Sequence, residues 1–319
     1  TDAPVFIDKI SILNPLNTAI EVNLPDINST HTTDAKKGVK GSYRISAKTT
    51  KKGVYKLAAN ETLEYAIIYS ARQKDEDEHY VAADFEYNKR VDFVKNTLSN
   101  LVLETPDKTL NTAFAFAKIR AVESIFKTKG GLMHAPGGSR YYAAIWANDQ
   151  AEYANPFFPF LGNHAGNESA INSFRHFARY TNDAYKPIPS SIIAEGLDYW
   201  NGAGDRGDMA MIAYGASRFA LAYGDKSTAK ELWPLIEWCL EYSRRKINTK
   251  GVVTSDSDEL EGRFAAGDAN LNTSSLYYDA LVSAVILGKE SHIDSQKLDG
   301  YKTQSENLRK AIETYFGAT

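Results

Sequence analysis

Cysteine is nearly missing from this sequence of 319 residues: only Cys239 occurs, so an internal disulfide is excluded. Cys239 lies between Trp238 and Leu240 at a spacing typical of a helix core, which predicts a buried and unreactive thiol. An excess of charge of one sign is also lacking, because the formal net charge is −3 and the basic residues are scattered. A nucleic-acid partner would require a basic surface, so none is expected.

Long apolar runs are missing as well, and no stretch approaches the length of a membrane span. The first residues, Thr1 to Pro4, lack the basic start and the apolar core of a signal peptide. We therefore expect no membrane partner. Two interpretations of the compartment stay open: a mature periplasmic or secreted protein whose signal peptide has been removed, or an expressed piece of something longer.

Several catalytic motifs are absent. Only six histidines occur, and none of them belongs to a zinc-binding His-Glu-x-x-His motif. No glycine-rich phosphate loop follows a strand, and no Gly-x-Ser-x-Gly motif is present. The acidic stretch that starts at Asp256 fails the calcium-loop pattern, because Glu261 stands where glycine is required. No metal and no cofactor is therefore predicted.

The N-terminal part of the chain, residues 1–87, is predicted to be β. Apolar and polar residues alternate in 43–47 and in 62–69, as is typical of strands with one buried face. Asparagine, glycine and proline separate these runs. The pattern predicts an antiparallel sheet or a partial β-sandwich.

Helical periodicity replaces this alternation further along. Apolar residues recur at helical spacing between Asn88 and Leu103, which predicts a linker helix within 88–106. Thr105 is expected to cap the following helix, with Pro106 in its first turn. From there to the end the pattern predicts about seven helices separated by loops. They are placed at about 107–128, 148–161, 167–182, 207–223, 227–248, 271–288 and 295–316.

The packing of these helices follows from their surfaces. The helix at 107–128 is apolar on two faces, so it is expected to lie between neighbouring helices. A seam of alanines allows close helix approach: Ala210, Ala213, Ala216, Ala220 and Ala222. The predicted fold class is α+β, with an antiparallel partial sandwich at 1–87, a linker helix at 88–106 and helical hairpins at 107–319.

Long loops that follow alternate helices carry aromatic and charged side chains. If the helices alternate in direction, these loops lie at one end of the helical domain and form one mouth. An aromatic ring can lie against the apolar face of a sugar, and a carboxylate can accept hydrogen bonds from its hydroxyls. The candidate sugar-binding residues are Trp146 and Asp149 in the first loop, Tyr199, Trp200, Asp205, Arg206 and Asp208 in the second, and Arg263 in the third.

Each of these residues also has a structural interpretation. Trp146 is compatible with the core, and Asp149 with the N-cap of the helix at 148–161. The segment from Asp205 to Asp208 is compatible with a local ion pair at a helix start. The carboxylates of the third loop are compatible with a solvated acidic turn. The sequence leaves these alternatives open.

Paired carboxylates remain the default catalytic groups. Cleavage of a glycosidic bond needs an acid that protonates the leaving oxygen and a second carboxylate that activates water or attacks. Glu259 and Glu261 are alternate residues of an extended loop, so they are expected to face opposite ways. We favour Glu261 as the inward acid, with Glu259 as the alternative.

Residues 88–319 resemble the six-hairpin glycosidases, in particular their glucoamylase-like and trehalase-like branches. The resemblance rests on the Thr105-Pro106-Asp107 segment, on Trp146-Ala147-Asn148-Asp149 and on Gly204-Asp205-Arg206-Gly207-Asp208. It implies a β-sandwich, a linker helix and an (α/α)6 barrel. It also implies that Trp146 and Asp149 hold the sugar in the cleavage subsite.

The same resemblance implies where the acid lies. In a glucoamylase-type alignment the acid is the glutamate of Glu261-Gly262-Arg263, whereas a trehalase-type alignment selects Glu259. The family's catalytic base lies between the last helices of the barrel, and no residue of this sequence corresponds to it. The helix number is also too small for six hairpins. The chain is therefore expected to be a truncated piece, or to need another polypeptide that completes the ring.

The predicted function is an inverting glycoside hydrolase that acts on an oligo- or polysaccharide, with its base outside this chain. A non-catalytic carbohydrate-binding or scaffold protein is the main alternative. A glycoside phosphorylase is a second alternative, in which phosphate replaces the attacking water. The expected partners are a carbohydrate substrate and, because apolar helix flanks would be uncovered, a second copy or a complementing chain.

Overall fold

The computed structural model of the chain describes residues 4–36, 41–128, 130–135, 144–193, 199–259 and 266–317. The chain divides into two units, Thr1–Asn96 and Thr97–Thr319. Strands of the first unit pair in antiparallel fashion, and helices dominate the second. The fold class is therefore α+β, as the sequence predicts.

The first unit is built from antiparallel strands. A four-stranded sheet has the order β1-β6-β4-β3, and β2 pairs with β5 in a separate ladder. The two segments of alternating sequence lie in β4 and β6. The strand bounds are β1 Val5–Leu13, β2 Ile20–Leu24, β3 Asn28–Thr32, β4 Tyr43–Thr49, β5 Gly53–Leu57 and β6 Thr62–Gln73.

The core of this unit is small. Leu24, Leu57 and Leu63 are buried together, with partly buried residues of β1, β2, β5 and β6 around them. The side chain of Asn14 is fully buried beside this core. Its amide donates to the carbonyls of Thr18, Leu57 and Ala58, so it ties the β1–β2 connection to the end of β5.

A helix, α1 (Ala83–Ser99), includes the boundary between the two units and begins at Ala83 rather than at the predicted Asn88. Leu101 has φ +47°, which is incompatible with a continuing α-helix, so α1 ends well before residue 106. Buried Lys118 donates from its ammonium group to the carbonyls of Leu98, Asn100 and Leu101. These bonds satisfy carbonyls that the end of the helix leaves without an intrahelical partner.

The helical unit is organised around α5, which packs against α3, α6, α7 and a π-helix. Two further helices, α2 and α4, precede α5, and α8 packs on α7. The bounds are α2 Lys108–Glu123, π-helix Ala147–Ala154, α3 Asn155–Leu161, α4 His164–Ala178, α5 Asp208–Tyr223, α6 Lys226–Arg245, α7 Leu271–Glu290 and α8 Ser295–Phe316.

Small residues on α5 allow the neighbouring helices to pack closely against it. Four alanines of the predicted seam are buried, whereas Ala222 is exposed at the end of the helix. Gly215 is the tightest point: a Cβ there would lie 1.6 Å from the carbonyl oxygen of Ala151 in the π-helix. Cys239 on α6 is buried, as predicted, and burial raises the pKa of its thiol.

The start of α2 differs from the prediction. The N-cap is Asp107, not Thr105, because the carboxylate of Asp107 accepts from the amides of Thr109 and Leu110 at 2.8 and 3.2 Å. Thr105 instead donates from its hydroxyl to the side chain of Asn111 at 2.7 Å.

The end of α2 differs as well. The helix stops at Glu123, and β7 (Ile125–Thr128) pairs with β8 (Gly131–His134) in a hairpin. Gly131 has φ +99°, a conformation that the turn requires and that other residues rarely adopt. The Thr128 hydroxyl donates to the Gly131 carbonyl at 2.8 Å and closes the turn. The predicted helix to residue 128 was wrong for this reason.

The packing predicted for α2 was also wrong. Only Lys118 and Val122 of this helix are buried, while Phe116 is 62% and Leu110 is 50% exposed. The described residues therefore cover the two apolar faces of α2 only in part. Among the described residues, no helix is long and apolar enough to cross a membrane.

Candidate active site

Three short strands bring the first and second predicted loops together. β9 (Ala144–Trp146), β10 (Ser191–Ile193) and β11 (Tyr199–Trp200) form an antiparallel sheet with β10 in the middle. Ser191 pairs with Trp146 on one side and with Trp200 on the other. The two indole rings are 5.5 Å apart between centroids and inclined by 48°. Two aromatic residues far apart in sequence thus become neighbours.

Arg206 is the common neighbour of both rings. Its guanidinium carbon lies 5.7 Å from the centroid of Trp146 and 5.5 Å from that of Trp200. Only 1% of the residue is exposed. An arginine so buried needs partners for its charge and for its donors.

The partners of Arg206 come from all three loops. Nη2 lies 3.1 Å from Oδ1 of Asp208 and 3.5 Å from Oδ1 of Asn148. Nε donates to the Ser190 hydroxyl at 3.2 Å, and Nη1 donates to the Glu259 carbonyl at 3.1 Å. Arg206 therefore links the π-helix, the second loop and the third loop at one point.

Asp208 has a structural role in the site. It is fully buried, and its Oδ2 accepts from the Ser190 hydroxyl at 2.7 Å and from the Arg206 amide at 3.1 Å. Its carboxylate supplies the charge opposite Arg206. The interpretation as a local ion pair at a helix start describes this residue well, because Asp208 opens α5.

Asp205 holds the third loop in place. Its amide donates to the Asp256 carboxylate, and its carbonyl accepts from the amides of Asp256 and Ser257. Its own carboxylate accepts from the Gly207 amide at 2.9 Å and from the Tyr242 hydroxyl at 3.0 Å. Burial, and then the charge of Asp208, raise the pKa of Asp205 to about 6.

Glycines flank these acidic residues for steric reasons. Gly204 has φ +71°, and a Cβ there would lie 2.8 Å from the Asp256 carboxylate. Gly207 has φ +91°, and its Cβ would lie 2.3 Å from the Thr273 hydroxyl. The motif from Gly204 to Asp208 is thus a tight turn that sets the guanidinium of Arg206 beside both indoles.

The π-helix supplies the next group of side chains. The Trp146 amide donates to the side-chain oxygen of Gln150, whose amide nitrogen lies 3.1 Å from Nδ1 of His134. Burial lowers the pKa of His134 to about 4, so its ring is neutral at pH 7 and Nδ1 can accept. Trp146 occupies the N-cap position, so Asp149 is not the cap but a half-buried residue of the first turn.

Acidic side chains of the π-helix and of the third loop lie near Arg206. The Tyr153 hydroxyl lies 3.3 and 3.5 Å from the two oxygens of Glu259 and donates to them. Glu152 precedes Tyr153 in the π-helix, and its Oε2 is buried without a hydrogen-bond partner. Burial, followed by the charge of Glu259, raises the pKa of Glu152 to about 7. Two candidate acids are therefore present, and sequence analysis identified only Glu259.

The remaining predicted residues are placed as follows. Tyr199 is 48% exposed, and its ring meets that of Tyr180 edge to face at 5.7 Å. Glu261 and Arg263 lie outside the described residues. Among the residues that the structure describes, no group of three or more histidine, cysteine or acidic side chains is arranged to hold a metal ion.

No protein-family model matches the sequence, and no curated protein does. Solved structures do match in fold. A bacterial glucoamylase in complex with acarbose has a TM-score of 0.54 and 13% identity over 90% of this chain and 48% of its own.

Two further structures give the same result. A putative kojibiose phosphorylase from the human microbiome has a TM-score of 0.52 and 12% identity, over 94% of this chain and 49% of its own. The GH78 family rhamnosidase of Bacillus sp. GL1 has a TM-score of 0.50 and 12% identity, over 98% of this chain and 31% of its own.

These comparisons establish the fold. The resemblance to the six-hairpin glycosidases, which the sequence predicts, is confirmed at that level, and the similar structures are helical toroids. This chain spans about half the length of the glucoamylase and of the phosphorylase, and about a third of the rhamnosidase.

Proposed function

We propose that the full-length protein cleaves glycosidic bonds, as an inverting glycoside hydrolase that acts on an oligo- or polysaccharide. The observation that carries this proposal is the position of Arg206. One buried guanidinium has the indoles of Trp146 and Trp200 beside it and the main chain of Glu259 as a hydrogen-bond acceptor. Aromatic surface and carboxyl groups thus lie together in a fold that known glycosidases use.

Each side chain has a proposed role. Trp146 and Trp200 supply apolar surface for a sugar ring, with Tyr199 and Asp149 at the edge of the same site. Arg206, Asp208 and Asp205 support this surface from below, because all three are buried and bonded to protein groups. Arg263 keeps the sugar-binding role that the family resemblance implies.

Among the described residues, Glu259 is the proposed acid, whereas Glu261, which the sequence favours, lies outside them. Its carboxyl group accepts from the Tyr153 hydroxyl, and its carbonyl accepts from the guanidinium of Arg206. A general acid must reach the leaving oxygen in its protonated form, and it contributes about 100-fold or more to the rate. Glu261 is the alternative. The base that activates water lies outside this chain in the proposed mechanism.

A panel of oligosaccharides and aryl glycosides tests the activity of the full-length protein. Glu259→Gln should lower turnover of unactivated glycosides about 100-fold or more, and should spare an activated aryl glycoside that needs little protonation. Glu261→Gln is the matched variant two residues away. If it shows this pattern instead, the acid is Glu261. If neither variant does, the third loop is not catalytic.

Two arms of the same experiment separate the alternatives. One of the similar structures is described as a putative phosphorylase, so the panel is repeated with inorganic phosphate. Phosphate-dependent release of a sugar phosphate would assign phosphorolysis rather than hydrolysis. Sugar binding by calorimetry without turnover in either arm would assign a non-catalytic carbohydrate-binding protein.

A further inference from the structure

One face of α6 carries aromatic side chains that the proposed function does not use. Trp238 and Tyr242 are one turn apart on this helix, and their rings stack at 5.7 Å with an inclination of 24°. Tyr185, at the start of the second loop, stacks on Trp238 at 5.3 Å and 11°. The guanidinium carbon of Arg245 lies 3.7 Å from the centroid of Tyr185. Tyr185, Trp238 and Tyr242 therefore form one aromatic stack.

The aromatic stack holds the beginning of the second loop. Tyr185 has φ +50°, a strained conformation for a residue with a side chain, which persists only where the surroundings fix it. The Trp238 indole donates from Nε1 to the carbonyl of Asn182 at 2.9 Å. The Asn182 side chain accepts from the Lys186 amide and donates to the Lys186 carbonyl, both at 2.9 Å. The chain around Tyr185 is thus attached to α6 through its ring and through its main chain.

The other end of the stack reaches the turn that holds Arg206. Tyr242 is 3% exposed, and its hydroxyl donates to Oδ2 of Asp205 at 3.0 Å. Asp205 is 2% exposed, and its Oδ1 accepts from the Gly207 amide at 2.9 Å. Each oxygen of this buried carboxylate therefore has a donor. Loss of the Tyr242 hydroxyl would leave Oδ2 buried without this partner, which is costly.

The third loop is attached to the same turn at consecutive residues. The carbonyl of Asp205 accepts from the amides of Asp256 and Ser257 at 2.7 and 3.1 Å. The next residue, Arg206, donates to the carbonyl of Glu259 at 3.1 Å. A displacement of this turn would therefore move both attachment points of the segment that carries Glu259.

A second contact joins α6 to the third loop. Nζ of Lys246 lies 3.5 Å from Oδ1 of Asp256 and 5.7 Å from the centroid of Tyr242. The side chains of Lys246 and Asp256 are 31% and 53% exposed, and an ion pair in water holds two groups together only weakly. The buried bond from Tyr242 to Asp205 is therefore the contact of α6 that fixes the turn.

We propose that Tyr242 is a positioning residue: its hydroxyl fixes Asp205, and the turn at Asp205 fixes the loop that carries Glu259. This rests on the proposed function of Glu259. Tyr242 itself touches neither the sugar nor the reacting atoms in this proposal. A general acid must lie at the leaving oxygen, and a small misplacement of a catalytic group lowers the rate strongly. The stack gives the Tyr242 ring the fixed position that this role requires.

Hydrogen exchange tests the attachment of the third loop without any substrate. In the full-length protein, the amides of Asp256 and Ser257 should exchange about tenfold faster in Tyr242→Phe, because their acceptor turn loses a buried hydrogen bond. Exchange in the helices should not change, because the variant keeps the ring of the stack. Unchanged exchange at the two amides, or faster exchange throughout the helical unit, would overturn the proposal.

Tyr223→Phe is the matched control for this experiment. Tyr223 lies at the C-terminal end of α5, is 38% exposed and stacks on Phe219. Its hydroxyl can be removed while the ring stays in place, as in Tyr242→Phe. The exchange of the third loop should stay as in the wild type. An equal effect of the two variants would show that the third loop does not depend on Tyr242, and would overturn the proposal.

Steady-state kinetics test the consequence for catalysis in the full-length protein. Tyr242→Phe should lower kcat on unactivated glycosides about tenfold and leave KM nearly unchanged, because the acid is misplaced while the sugar still binds. It should spare the activated aryl glycoside, as is expected of Glu259→Gln. A merely structural defect would lower the turnover of both substrates equally, and that result would overturn the positioning role.

A double variant shows whether Tyr242 acts through Glu259. Tyr242→Phe combined with Glu259→Gln should be no slower than Glu259→Gln alone, because an acid that is missing cannot be misplaced. Losses that multiply would show that the two residues act independently, and would overturn the proposal.

The outcomes for Tyr242 and for the glycosidase activity are distinguishable. A wild type without activity on any glycoside would overturn the proposed function, and with it the role of Tyr242 in catalysis. Activity that depends on Glu259 and is unchanged in Tyr242→Phe would overturn the role of Tyr242 and leave the proposed function in place.

Discussion

At the scale of single residues, buried charges organise the candidate site. Arg206 and Asp208 are 1% and 0% exposed, and each is the principal counter-charge of the other. A buried ion pair adds little net stability when it is complete, but removal of one partner leaves an uncompensated charge. Breaking the pair is therefore expected to lower stability by more than the complete pair adds to it.

Asp208→Asn is expected to lower the free energy of unfolding by about 3–5 kcal/mol, because it leaves Arg206 buried without a counter-charge. Denaturant unfolding measures the loss. Asp279→Asn is the matched control, since Asp279 pairs with Arg218, which is half exposed. Its loss should stay within about 1 kcal/mol. Equal losses in the two variants would contradict the role given to the buried pair.

Asp205 makes stability depend on pH. Its pKa is raised from 3.8 to about 6 in the folded state, so the folded chain binds more protons than the unfolded chain between these values. The contribution of Asp205 to the free energy of unfolding therefore falls as the pH rises from about 4 to about 6. In Asp205→Asn the pH dependence of the unfolding free energy should flatten over this window. Identical slopes in variant and wild type would show that Asp205 does not titrate there.

The residues of the site were only partly predictable from sequence. Trp146, Trp200 and Glu259 were identified because aromatic rings and carboxylates stand out in long loops. The burial of Asp205 and Asp208 was not predictable, since a polar Gly-Asp-Arg-Gly-Asp segment gives no sign that it lies inside. Glu152 was overlooked because it falls within a predicted helix, where a glutamate usually faces solvent.

At the scale of elements, the long amphipathic helices were predicted well. The expected helices at 207–223, 271–288 and 295–316 match α5, α7 and α8 to within a few residues. The strand β7 was missed because the apolar residues after Glu123 continue the helical spacing, and only the Gly131 turn reverses the chain. The π-helix was also missed, and so was the close packing of its Ala151 carbonyl against Gly215 of α5.

Gly215→Ala tests this contact between elements. A Cβ 1.6 Å from the Ala151 carbonyl oxygen cannot be accommodated without moving α5 from the π-helix. We expect a loss of about 3 kcal/mol or more in thermal or denaturant unfolding, at the upper end of the usual cost of overpacking. The control is Gly300→Ala on exposed α8, where a Cβ meets nothing within 4 Å. That change should stabilise the chain by up to about 1 kcal/mol. A harmless Gly215→Ala would contradict the packing described.

At the scale of the whole molecule, apolar surface is distributed unevenly over the helical unit. Phe116 and Leu110 on α2 and Phe160 on α3 are 62%, 50% and 61% exposed. At the other flank, α8 exposes mainly Tyr315 among its described large apolar residues. The sequence predicts uncovered apolar flanks near α2 and near α8. In the structure, the exposed apolar residues lie mainly at the α2 flank.

Self-association of the 319-residue chain is the expected consequence, because stable monomers rarely leave large apolar patches in water. Sedimentation over a range of concentrations should show species larger than 35.3 kDa. Phe116→Glu should shift the chain toward the monomer, since a charge in an apolar contact must be desolvated. Phe6→Glu is the control, because Phe6 on β1 is 68% exposed and lies in the other unit. A monomer at every concentration would show that the exposed face of α2 does not drive association. An equal effect of the two variants would place the contact elsewhere.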